Sequence, residues 1–238
     1  MQILDIYIFV VGLCNGSFFN CLSDCYIEHS PMIHSRSQCD KCGHVLSLSD
    51  LIPLVSWIVL KGRCRYCGNR ISFKYPLTEL VCGVGHLLIF KRFGLEYFTI
   101  IYIIVFLMFF IISLVDIKTY EIPQNCLLVI VISWIILNVL ENHLNNIVYA
   151  VIISFYVYLI SLIMKKIAGK ECFGFGDIEL IFVICLFLGI YKTVWCLLIA
   201  CVSGFVLIVI SKKEMIPFGP SLSLAFIFLL LYGDKLII

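Results

Sequence analysis

The sequence predicts an all-α polytopic membrane protein, with about eight transmembrane helices and one small polar insert after the first. Three observations carry this. The 238 residues are 62% hydrophobic and only 13% charged, with a mean hydropathy of +1.09, too little charge to cover the surface of a soluble domain of this size. Apolar runs recur at close to the roughly 20 residues that one crossing takes. The one polar, turn-rich stretch, residues 26–75, is set between such runs and is too short to bury a sizeable core unaided. The net charge of +2 and the lack of a long basic tract give no ground for nucleic-acid binding.

In chain order, helices are expected over residues 3–25, 76–92, 97–115, 123–140, 146–166, 178–191, 192–211 and 218–233. The first run begins at Ile3 without a basic leader and leads into Asn20 and Asp24 rather than a small-residue cleavage site, so it reads as a retained span. The sixth and seventh are separated only by the weak turn signal Gly189-Ile190-Tyr191-Lys192. Orientation follows from Lys and Arg placement. With the 26–75 loop inside, 13 of the 17 basic residues fall on the cytoplasmic side and 4, Lys91, Arg92, Lys192 and Lys235, fall outside. Both termini are then outside, and Asp116 and Asp177 both reach the cytoplasmic boundary. The chain divides into a first helix (1–25), a cytoplasmic insert (26–75) and a membrane domain (76–238).

The insert contains "CDKCG" and "CRYCG", placing Cys39 and Cys42 before Cys64 and Cys67 with 21 residues between the pairs. That interval is one beyond the usual range for a zinc ribbon built from two Cys-x-x-Cys pairs. Four thiolates suit tetrahedral zinc, and a closed four-ligand shell implies a structural site. The glycine after each pair lets the backbone turn tightly, so that its amides face the sulfurs. Disulfides and a redox pair are the alternatives. A reducing cytoplasm disfavours the first, and no βαβ pattern surrounds either pair. His34 and His44 lie close enough to substitute as ligands. The other cysteines sit in apolar runs, where a thiol behaves as a small hydrophobe.

Two carboxylates stand out. "SLVDIKTYEIPQ" puts Asp116 at the end of the third span, and "FGFGDIEL" puts Asp177 at the start of the sixth. An ionisable residue bordering a span is a functional candidate, although an acid in a first helical turn also stabilises the helix dipole. Gly174 and Gly176 add no bulk and permit positive φ, so an extended backbone can approach Asp177 closely. Two neighbouring carboxyls share a proton, one acting as base on water and the other as acid. Glu121, Glu171 and Glu179 add negative charge at the same depth; ordinary interfacial charge is the favoured account of them. Glu79 is a further acid without a place. "PFGP" (217–220) suggests a broken entry to the last span, lining a groove or simply turning.

Taken together, "GSFFN" (16–20), "SRSQCDKCGHVLSLSDLIPLVSWIVLKGRCRYCGNRISFKYPLTEL" (35–80), "LVDIKTYEIP" (114–123), "GFGDIEL" (174–180) and "IPFGPSLSLA" (216–225) resemble the type IV prepilin peptidases, bacterial inner-membrane proteases of the GxGD aspartyl class. The resemblance runs in order over nearly the whole chain. It implies about eight helices with a cytoplasmic zinc-binding insert after the first, and a catalytic pair at Asp116 and Asp177. The implied activity is removal of a short basic leader after glycine, just before an apolar helix, in prepilins and pseudopilins. Many members also N-methylate the new terminus with S-adenosylmethionine. This chain departs from the family in two places: "CLSDCYIEHSP" (21–31) lacks the usual arginine, and Asp40 stands where proline is frequent. No glycine-rich nucleotide fingerprint is present for the methyl donor. Other classes weighed are a proton-coupled transporter, disfavoured because both acids lie at one face and no two-half repeat is visible, and a zinc-stabilised scaffold of a pilus or secretion machine without catalysis.

Overall fold

The computed structural model describes residues 3–28, 37–39, 41–141, 145–168, 174–212 and 216–236. Among these the chain is helical, apart from connecting turns and two isolated bridges, Gln38 with Val45 and Arg63 with Arg70. The helices are α1 (Ile3–Ile27), α2 (Val55–Val59), α3 (Lys74–Phe93), α4 (Tyr97–Thr119), α5 (Gln124–Glu141), α6 (Asn145–Ala168), α7 (Phe175–Ser211) and α8 (Gly219–Leu236), with a 3-10 turn over Leu48–Leu51. Among the described residues, four stretches are long and apolar enough to cross a membrane: Ile3–Ile27, Tyr97–Thr119, Asn146–Ile167 and Phe175–Ser211. Gln124–Val139 and Gly219–Asp234 are shorter apolar helices. Two compact units form, residues 1–99 and 100–238, and each is described by itself.

In the first unit α1 packs on α3 through glycine. A Cβ on Gly12 would lie 2.8 Å from the Gly83 Cα, and one on Gly16 would lie 2.8 Å from the Glu79 Cα and the Cys82 Cβ. Small residues four apart let helix backbones approach in this way, which is how helices associate where no hydrophobic force separates them from lipid. Polar groups then bridge the seam. Asn20 donates to the Thr78 hydroxyl, and Asn15 Nδ2 lies 3.0 Å from His86 Nε2, whose Nδ1 is 2.9 Å from the Cys82 carbonyl. At the insert end, Lys74 pairs with Asp24 at 3.4 Å. Glu79 is buried, and its Oε2 accepts the Leu54 amide at 2.8 Å. Leu54 has φ 60 and ψ −49, and the Val55 amide reaches back to the Pro53 carbonyl. That is a tight γ-turn, rare for a non-glycine residue.

In the second unit the boundaries follow the turn chemistry. α4 ends at Tyr120 (φ 57), whose amide bonds the Asp116 carbonyl at 3.0 Å, and Pro123 prevents the helix from continuing. The expected break between the sixth and seventh helices falls at Gly189, with φ 70 and ψ 178 inside the long α7. Only glycine adopts that conformation at low cost. The carbonyl of Leu186 is taken up from two sides, by Trp134 Nε1 at 2.9 Å and Asn146 Nδ2 at 3.0 Å. Lys192 pairs with Asp234 of α8 at 2.5 Å. Phe109 of α4 stacks on Phe226 of α8 with centroids 4.3 Å apart, and Phe187 meets the same ring edge-on. The Phe109–Phe226 stack joins the middle of α4 to the middle of α8.

Candidate active site and metal centre

Asp116 lies one turn before the end of α4 and is 4% exposed. Its Oδ2 accepts the amide of Gly219, the first residue of α8, at 2.8 Å. The carboxyl thus faces the positive end of α8, where free amides and the helix dipole favour negative charge. A Cβ on Gly219 would lie 2.7 Å from that same oxygen, so the contact requires glycine. From the sequence, Gly219 belonged to a broken entry that lined a groove or simply turned; the signal for its role was the glycine between two prolines in "IPFGPSLSLA".

Asp177 occupies the first turn of α7 and is half-buried. Its Oδ2 accepts the Gly174 amide at 3.0 Å, while its own amide donates to the Gly174 carbonyl at 3.2 Å. The helix-capping role weighed from the sequence is therefore present in the geometry. Gly176 packs against Ile122, where a Cβ would sit 3.1 Å from the Ile122 Cβ. That contact brings the start of α7 beside the α4–α5 connection, and the two aspartates are near enough to interact electrostatically. Neither glycine uses positive φ: Gly174 is extended at φ −68 and Gly176 is helical. Of the two, Gly176 is the one packed closely against a neighbour. Glu179, two residues on, accepts from Gln124 Nε2 at 2.5 Å. Glu121 is exposed. Phe173, Glu171, His34 and Asp40 lie outside the described residues.

The four cysteines of the insert converge, with the sulfurs of Cys39, Cys42, Cys64 and Cys67 all within 4.8 Å of one another. Each pair forms the same knuckle. The Gly43 amide bonds the Cys39 carbonyl and the Gly68 amide bonds the Cys64 carbonyl, both at 2.9 Å, with the glycines at φ 67 and 71. Four sulfurs around zinc at roughly 2.3 Å are separated by roughly 3.8 Å along each tetrahedral edge; Cys39 and Cys67 Sγ are 3.8 Å apart. The amides of Cys42 and Lys41 draw the Cys39 thiol down to about 7. Cys42 is lowered by the His44 amide, but burial and the neighbouring thiols push it up to about 11. Once one thiolate forms in so small a space the next is resisted, and a bound cation removes that conflict. The donor set fits a metal. His44 is not part of it, since its ring stacks on Tyr66 at 3.6 Å. Asp50 braces the module, accepting from Ser47 Oγ at 2.7 Å, Arg65 Nε at 2.7 Å and Tyr66 OH at 3.3 Å.

These features define an all-helical protein with several helices of membrane-crossing length, a four-cysteine knuckle pair and two carboxyls at the ends of separate helices. Comparison with known proteins narrows the class. A model of the bacterial peptidase A24 N-terminal domain matches residues 10–93, and a model of the type IV leader peptidase family matches residues 102–209. The chain is 31% identical over 240 residues to a prepilin leader peptidase/N-methyltransferase of Bacillus subtilis (strain 168), covering 97% of this chain and 95% of that one. A protein of the same description from Stutzerimonas stutzeri is 28% identical over 211 residues, 84% of this chain and 73% of the relative. One from Myxococcus xanthus (strain DK1622) is 44% identical over 92 residues, 39% of this chain and 28% of the relative. No solved structure matches. The chain belongs to the type IV leader peptidase family.

Proposed function

We propose that this protein is an aspartic endopeptidase of the bacterial cytoplasmic membrane that removes the basic leader of prepilins and pseudopilins after glycine. Family membership over the whole chain supports the reading. The observation that carries it is the packing of Gly176 on Ile122, which sets Asp177 at the start of α7 beside the connection that follows Asp116 of α4, 61 positions earlier in the sequence. In the proposed reaction one carboxylate takes a proton from water as the oxygen attacks the scissile carbonyl. The other carboxyl, protonated, donates to the carbonyl oxygen, and a proton then passes to the leaving amine. The Gly219 and Gly174 amides each hold one oxygen, Oδ2, of their aspartate, and in the proposed reaction Oδ1 is the oxygen that meets water and substrate.

The finer features belong to the same proposal. Eight crossings follow if α3, α5 and α8 also span and if α7, whose 37 residues reach about 55 Å, crosses twice with its break at Gly189. The acids then face the cytoplasm, and residues 26–75 form a cytoplasmic insert whose Cys39, Cys42, Cys64 and Cys67 hold structural zinc. N-methylation of the new terminus with S-adenosylmethionine rests on the relatives' description.

The test is co-expression with a prepilin bearing a basic leader, following leader removal by mobility and mass. We expect cleavage by the natural chain and none by Asp116→Asn or Asp177→Asn at matched membrane levels. Cleavage that survives either change removes that residue from the pair.

A further inference from the structure

An open groove of about 540 Å³ runs between α5, α6 and α7. α5 and α7 lie parallel along it, joined by Gln124 to Glu179 near their starts and by Trp134 to Leu186 further on. The groove therefore has a polar mouth and an apolar body. Gln124, Asn125 and Glu179 form the mouth, beginning two residues from Asp177. Leu127, Leu128 and Val131 of α5 face Ile178, Phe182 and Val183 of α7 along the body. Ser154 of α6 also lines the groove, and its hydroxyl is buried without a hydrogen-bond partner.

We propose that this groove receives the first turns of the substrate's apolar helix, on the C-terminal side of the bond that is cut. The assignment rests on the peptidase reading above. A helix begins with four amides that have no partner within it and with the positive end of its dipole. A carboxylate at the mouth, held in place by Gln124, complements that end; after cleavage it also faces the new ammonium terminus. The apolar body then takes the side chains of the following turn or two. A lipid chain is the competing occupant. It would fill the body equally well but would offer nothing to Glu179 at the mouth.

A photoreactive benzoylphenylalanine is placed at Leu128, which is 61% exposed, in full-length protein carrying Asp177→Asn so that substrate stays uncut. Val202, 65% exposed on α7 and outside the groove, is the control position. We expect adducts with the prepilin at Leu128, mapping to the first turns after the scissile bond, and none at Val202. Separately, Leu128→Trp should lower kcat/KM for prepilin roughly ten- to hundredfold, the range that losing burial of one large side chain gives. Lipid adducts alone at Leu128, or substrate adducts equal at both positions, overturn the groove assignment while the natural chain still cleaves. Absence of cleavage by the natural chain in the same membranes instead overturns the peptidase reading, and the groove's occupant with it.

Discussion

The amide of Gly219 donates to Oδ2 of Asp116 at 2.8 Å, across 103 residues of sequence. One helix start thus fixes one oxygen of a carboxyl that closes another helix. Because a methyl group on Gly219 would lie 2.7 Å from that oxygen, Gly219→Ala must displace either the carboxyl or α8. A misplacement of about 1 Å at a reacting group costs roughly a hundredfold in rate. We expect Gly219→Ala to lose cleavage by about that factor or more while membrane levels hold; near-normal cleavage would detach the contact from the chemistry.

The two glycines beside Asp177 should separate. At Gly174 a Cβ meets only Asp177 Oδ2, at an ordinary 3.5 Å, and the backbone is extended; at Gly176 it presses on Ile122 at 3.1 Å. Gly174→Ala is expected to cleave like the natural chain. Gly176→Ala should carry an overpacking cost of about 1–3 kcal/mol, seen as reduced cleavage and a lower melting temperature in detergent. The reverse order would mean that freedom at Gly174, rather than packing at Gly176, is what the motif needs.

Purified protein is expected to contain one zinc per chain by elemental analysis, and a strong chelator should make residues 37–73 sensitive to protease. Cys64 is buried at 5% exposure while Cys42 and Cys67 are exposed, so Cys64→Ser should be the most damaging single change. Metal content far below one per chain would show that the cysteines converge for another reason.

Asp50 gives the insert a pH dependence. Its hydrogen bond from Ser47, followed by the Arg65 guanidinium, holds its carboxyl below the usual carboxylate range. A depressed folded-state value adds stability that is complete above the unfolded value of roughly 4 and disappears as pH falls through the folded one. Protease resistance of the insert should therefore decline more steeply below about pH 4 in the natural chain than in Asp50→Asn, which starts lower. Parallel curves would exclude Asp50 as the brace.

Much of this was legible because it is local. Apolar runs gave the helix positions to within a few residues, and the paired Cys-x-x-Cys-Gly spacing foretold two equal knuckles. Gly189 was read as a weak turn and is the point where α7 breaks. What sequence concealed is contact between distant segments. Nothing near Asp116 says that its partner is Gly219, and nothing near Glu79 says that it holds the Leu54 amide. The packing of Gly176 was hidden for the same reason, because its neighbour is Ile122, 54 positions earlier.

The seam between α1 and α3 bears on the order in which this molecule assembles. Asp24 with Lys74, and Asn20 with Thr78 one turn deeper, fasten both ends of the intervening polypeptide before any metal is required. The insert is thus a ring already closed by its own helices. Much of the chain entropy lost in bringing the knuckles together is lost when those helices pair. If the cysteines hold zinc as proposed, metal capture would be a late maturation step, carried out on a chain already lodged in the bilayer. A zinc-starved cell should accumulate inserted, seam-paired precursor that a later supply of the ion can complete without new synthesis.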